Sequence, residues 1–212
     1  RDIDITVRGG DAIDYIDIVH NNNLVHRHSP LYQPVEDCYA QPMKVYLEVG
    51  WGERGIDTIW DVHMEVVDGD LLGIEPRFRG HDIVAPQEGE HVANAFSHWE
   101  ALSNNKIHFQ TRTWGNPTTT TASTQGMSFE IRATSDTRLK GTINGKAIDI
   151  PITDLLQRPH ADYLDGFVSP AFYFHQAVLE SEYHISTTFS HIVNVTGRDW
   201  YYVRVRQKNG HW

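Results

Sequence analysis

Apolar residues recur at every second position along most of this chain, the period of a half-buried β-strand. Ile3, Ile5 and Val7 alternate with Asp2, Asp4 and Thr6. Val45, Leu47 and Val49 share one face of a second segment, and Trp60, Val62, Met64 and Val66 share one face of a third. Ile107 and Phe109, then Met127, Phe129, Ile131 and Ala133, then Tyr201, Val203 and Val205 repeat the pattern. Residues 153–157 alone read as a single helical turn.

Turn residues punctuate these segments. Asn21-Asn22-Asn23 lies between two alternating stretches, and Asn tolerates the positive φ that a tight hairpin needs. Asn144-Gly145 is the strongest two-residue hairpin signal in the chain. Asp68-Gly69-Asp70 ends the Trp60 strand, and residues 71–74 read as its return. Residues 29–42 hold three prolines and read as a crossing loop, residues 76–105 are mixed and polar, and residues 115–125 are a Thr-rich loop. Roughly ten to twelve short strands follow, the pattern of an all-β fold: an antiparallel β-sandwich or jelly roll with long loops and little helix. One domain over residues 1–212 is expected, with a split near residues 86–105 as the alternative. The last strand runs to a Lys208-Asn209-Gly210 turn with no return strand behind it. That pattern predicts a fragment of a longer protein.

Composition narrows the function classes. The chain has 212 residues, enough for a real core, and a net charge of −10. Such an acidic balance argues against general nucleic-acid binding, which depends on neutralising phosphates. No stretch approaches the roughly 20 apolar residues of a membrane span. Cys38 is the only cysteine, so an internal disulfide and a cysteine-built zinc site are excluded. Asn194-Val195-Thr196 matches a glycosylation acceptor.

Several residue groups have the types that chemistry requires. His26 and His28 are two apart on a strand and share a face, with His20 across the hairpin, but no metal-motif spacing supports a site there, and no metal is expected. No cofactor is expected either; a structural Ca²⁺ on Asp11, Asp14 and Asp17, or on Asp68 and Asp70, is the exception considered. Trp51, in Trp-Gly-Glu-Arg-Gly, and Trp114, in Trp-Gly-Asn-Pro, stand in loops beside polar residues. Flat aromatic faces of this kind stack on sugar rings, with Arg54 and Asn116 placed to read hydroxyls. Trp60 and Trp200 fall on strand faces and read as core. His108, Gln110 and Arg112 alternate on one face of their strand, opposite Ile107 and Phe109, and are the catalytic candidates if the chain is a jelly-roll polysaccharide lyase or hydrolase.

Three stretches carry a family resemblance. They are the acidic strand running into Asn21, the segment from Trp60 to Gly80, and the closing Asp199-Trp200-Tyr201-Tyr202-Val203-Arg204-Val205-Arg206 strand. Together they resemble the β-rich C-terminal region of exported, uncharacterised relatives of polymerase-and-histidinol-phosphatase-type metal-dependent phosphoesterases. The resemblance implies an accessory region separated from its catalytic domain, and an exported location. The metal motifs of that catalytic part are not present here, so no catalytic residue carries over.

The leading expectation is therefore a non-catalytic accessory β-sandwich module of a larger exported protein, packed against a catalytic domain of that protein. The alternatives are a polysaccharide-binding domain, a subunit that self-associates through its edge strands, and a small jelly-roll enzyme.

Overall fold

The computed structural model describes residues 2–32, 35–78, 97–115, 123–192 and 197–209. In chain order the strands are β1 (Asp2–Arg8), β2 (Ile13–His20), β3 (Asn23–His28), β4 (Met43–Gly50), β5 (Asp57–Val67), β6 (Asp70–Pro76), β7 (His98–Ser103) and β8 (Lys106–Trp114). They continue as β9 (Thr124–Arg132), β10 (Arg138–Ile143), β11 (Lys146–Pro151), β12 (His160–Tyr163), β13 (Ala171–Phe174), β14 (Val178–Leu179), β15 (His184–Ser190) and β16 (Tyr201–Gln207). Two short helices, α1 (Ile152–Gln157) and α2 (Glu180–Tyr183), interrupt them. The fold is all-β with antiparallel sheets, 60% strand and 7% helix.

The chain packs as two compact units. The first joins Arg1–Gln41 to Val178–Trp212, and the second is the continuous stretch Pro42–Ala177.

In the first unit, β1 pairs along its whole length with β15, and β2 is flanked by β16 and β3. Ile5, Ile13, Ile16 and Ile18 form the core, with Ile3, Val7, Val25, Ile185 and Phe189 packed against them. The β2–β3 hairpin turns on Asn21 and Asn22, at φ 46° and 66°, the left-handed pair a two-residue turn demands. Two expectations fail here. Val203 is 41% exposed, and Trp200, just before β16, is 40% exposed and stacks on Tyr202 with ring centroids 5.6 Å apart. Alternation marks the two faces of β16 but does not supply a packed layer over Val203, and Trp200 precedes the strand.

The second unit has one sheet in the order β11-β10-β5-β8-β7 and another in the order β12-β13-β4-β9-β6. Val45, Leu47, Val49, Met127, Phe129 and Ile131 line the inner face of the second. Trp60, Val62, Met64, Ile107 and Phe109 line the inner face of the first, and all eleven are buried. Trp60 places its indole N–H on Thr113 Oγ1 at 2.8 Å, so the largest core side chain leaves no polar atom unpaired. Asn144 and Gly145 make the β10–β11 hairpin at φ 48° and 79°. The Asp68 turn does something the alternation did not foretell. Instead of folding β6 back onto β5, it carries the chain into the other sheet, where β6 pairs with β9. Thr137 Oγ1 holds the corner by donating to the Asp68 carbonyl at 2.6 Å.

Candidate functional site

Because Val62, Met64, Ile107 and Phe109 point into the core, the intervening residues of β5 and β8 must point out. Register then decides which of them meet. Asp61 lies opposite Gln110, His63 opposite His108, and Glu100 of β7 opposite His108 on its other side. The β7–β8 hairpin and β5, well before it in the sequence, thus build one polar face.

His108 is its centre. Its Nε2 lies 2.7 Å from Asp61 Oδ1 and its Nδ1 lies 3.2 Å from Glu100 Oε1. Gln110 Nε2–H donates to the same Asp61 oxygen at 3.1 Å. His63 stacks on His108 with centroids 4.3 Å apart and planes 10° from parallel, and its Nε2 is 3.8 Å from Asp61 Oδ2. Burial disfavours the His108 imidazolium, but hydrogen bonds to Asp61 and Glu100, with their charges, outweigh it and raise its pKa above the ordinary imidazole value. Hydrogen bonds from His108 and Gln110 hold the Asp61 carboxyl below the usual carboxylate range. Further along the same face, Arg112 pairs with Asp57, and its guanidinium lies 5.5 Å from the centre of the Trp114 ring. His108, Gln110 and Arg112 thus share one face as the alternation implied. Asp61, His63 and Glu100 were not singled out from the sequence. Asp61 and His63 alternate with buried Val62 and Met64, a legible signal for an outward pair, but the pairing with β8 is not local.

A second feature lies in the same unit. A cleft of about 360 Å³ opens beside Trp51 and is lined also by Asp162, Tyr163, Phe167, Ser169 and Phe172. Phe167 is 92% exposed, Tyr163 45% and Trp51 41%. The loop between β12 and β13 carries Phe167 at its tip and is closed by Leu164 N–H to the Pro170 carbonyl at 2.8 Å and Ser169 N–H to Gly166 at 3.1 Å. Gly52, at φ 97°, sets the Trp51 loop on that closure, since a Cβ there would sit 3.1 Å from Pro170. Six non-glycine residues among those described have positive φ. Four are the Asn and Asp of turns: Asn21, Asn22, Asp68 and Asn144. The other two, Trp51 at 59° and Val168 at 77°, both line this cleft. Left-handed backbone is costly for bulky and β-branched residues and persists where the surrounding structure enforces it.

The two Trp-Gly pairs named from the sequence do meet, although Trp114 is the last residue of β8 and not a loop residue, because it stays in register with Asp57 of β5. Gly55 N–H donates to the Gly115 carbonyl at 3.0 Å, and Gly115 N–H donates to Ile56 at 2.8 Å. A Cβ on Gly115 would lie 1.9 Å from the Glu53 carbonyl oxygen, so glycine is required there. The two indoles are differently placed, Trp51 in the cleft and Trp114 beside Arg112. Arg54 is exposed in the same loop, and Asn116 lies outside the described residues, as do residues 194–196 of the glycosylation triplet. Phe167, Tyr163 and Asp162 were missed; a Phe-Val pair between Gly166 and Pro170, in an otherwise turn-like stretch, was the available signal.

The remaining candidates have other partners. His20 Nε2 sits 2.9 Å from Asp199, and His26 stacks on Phe189 at 5.0 Å. Asp17 pairs with Arg27 and Arg204, Asp14 with Arg206 at 3.8 Å, and Asp70 with Arg132 at 3.7 Å.

No family model, no curated protein and no solved structure matches this chain, so its function is read from the geometry of these two sites.

Proposed function

We propose that the chain is a non-catalytic β-sandwich module that binds polysaccharide, with the cleft beside Trp51 taking a sugar ring. The observation that supports this reading most is the confinement of the two unusual left-handed residues, Trp51 and Val168, to one cleft that also keeps Tyr163 and Phe167 in water. Exposing three large aromatic rings around one opening costs hydrophobic free energy that a stacked ligand recovers. A sugar ring fits such a site, because its C–H face is apolar and its rim needs hydroxyl partners. Asp162 and Ser169 provide those partners at the cleft wall.

The test is retention of the purified chain in gels containing a panel of soluble polysaccharides. At least one should retard it. Trp51→Ala and Phe167→Ala should each release it with a loss of about 1–3 kcal/mol, the scale of a ring stacked on an aromatic side chain. Retention that survives both substitutions would move the binding surface elsewhere. A chain retarded by no polysaccharide would end the reading.

A further inference from the structure

We propose that Asp61, His63 and His108 form a binding site for a divalent first-row transition metal ion on the outward face of β5 and β8. This goes beyond polysaccharide binding and does not depend on it. Among the described residues these three are the group of potential ligands whose donor atoms all lie within 4.8 Å of one another. Bonds of about 2.0–2.1 Å to imidazole and carboxylate place tetrahedral ligand atoms roughly 3.3 Å apart. The separations of His108 Nε2 from Asp61 Oδ1, 2.7 Å, and of His63 Nε2 from the other oxygen, Asp61 Oδ2, 3.8 Å, lie on either side of that value. Both imidazoles offer Nε2 toward the same carboxylate; because parallel rings have parallel lone pairs, an ion held by both requires the exposed His63 ring to rotate out of the stack.

The surroundings support the same conclusion. Glu100 Oε1 lies 3.2 Å from His108 Nδ1. A carboxylate in that place takes the Nδ1 proton and leaves Nε2 with its lone pair for a metal, the usual way a ligating histidine is oriented. Gln110 holds Asp61 from the side at 3.1 Å. The direct register of His63 and His108 across β5 and β8 sets the second imidazole beside the first, with ring centroids 4.3 Å apart. Two imidazoles and one carboxylate suit zinc and its neighbours better than calcium or magnesium, which prefer all-oxygen shells. The side chains of Asp61 and His63 are each about half exposed, at 49% and 47%, so solvent reaches the ion and a fourth position stays open to water or to an added ligand.

Titration calorimetry of the whole chain with Zn²⁺ tests this. One ion per chain is expected, with Ca²⁺ giving no signal at the same concentration. His63→Ala and His108→Ala should each weaken binding tenfold or more. Glu100→Gln should weaken it by about 10- to 100-fold. His26→Ala, far from the group in sequence and exposed, should leave it unchanged. In case a substitution disturbs folding, the imidazole NMR signals of the unaltered chain give an independent reading. Zn²⁺ should shift those of His63 and His108 and spare that of His26. Zn²⁺ binding that persists in the His63→Ala, His108→Ala double variant, or NMR shifts confined to other histidines, would overturn the proposal, as would the absence of binding.

Discussion

Asp17 and Asp61 make a natural experiment within one molecule. Each lies between apolar core residues on a strand flanked on both sides, and each takes its partners from neighbouring strands. Asp17 meets Arg27 Nε at 2.6 Å, Arg27 Nη2 at 2.9 Å and Arg204 Nη2 at 3.1 Å. Asp61 meets His108 and, more loosely, His63. The Asp17 side chain is 1% exposed and the Asp61 side chain 49%. Guanidinium stays charged at every accessible pH, so the first arrangement is permanent and structural. Imidazole can give up its proton and offer a lone pair, so the second can change state. Similar sheet geometry therefore yields a clamp in one place and a chemically competent group in the other, and the difference lies in the partner's chemistry and in access to water.

Substitution should separate the two most sharply. Asp17→Asn removes the charge that satisfies two guanidinium groups, and is expected to cost about 1.5–3 kcal/mol in urea unfolding. Asp61→Asn, at a half-exposed position, should change stability by less than about 1 kcal/mol. Equal losses at the two sites would erase the distinction. A smaller effect concerns pH. The hydrogen bond from Arg27 lowers the Asp17 pKa against the opposing effect of burial, and the charges of Arg27 and Arg204 add to the lowering. The stability this carboxylate contributes is present above about pH 3.9 and disappears as pH falls through its depressed folded value. His108 has the opposite sign. Its raised folded pKa gives stability that is complete below about pH 6.5 and lost as pH rises through the folded value. Urea midpoints measured from pH 3 to pH 9 should therefore sag at both ends. Asp17→Asn should make the acidic limb shallower and leave the alkaline one, whereas His108→Gln should flatten the alkaline limb and, because His108 also depresses Asp61, change the acidic one slightly. The smallest change is expected from Arg54→Ala, in the exposed Trp51 loop, which should leave the fold intact within about 0.5 kcal/mol.

What could be read from the sequence divides along the same line between local and non-local. Alternation located β4, β5, β8 and β9 because one face of each carries three or more apolar residues or, in β8, Ile107 and Phe109, and Asn21-Asn22 and Asn144-Gly145 announced their hairpins through the positive φ that few residues tolerate. Trp51-Gly52 and Trp114-Gly115 were visible as unusual pairs, and they do pack together. The switch of sheets at Asp68 was hidden, because Thr137, which anchors it, lies far along the chain. The Asp61, His63, His108 and Glu100 group was hidden for the same reason. Each residue looks like any outward strand position, and only the pairing of β5, β8 and β7 gathers them. Val203 and Trp200 misled because period two marks a face without saying whether another layer covers it.

The first unit is assembled from the two ends of the chain, with the whole of the second unit encoded between them. Arg8 pairs with His184 and Asp2 with Ser190, so β1 cannot be closed until its partner, up to 188 residues later, has been made. At ribosomal rates of about 5–20 residues per second, its partner follows on the order of 10–40 s later. Through that interval Ile3, Ile5 and Val7 have no native strand to pair with, while strands β4 to β13 are made one after another within Pro42–Ala177. Synthesis order alone thus has β1 wait for a partner made after the second unit, and makes it the segment most dependent on protection meanwhile.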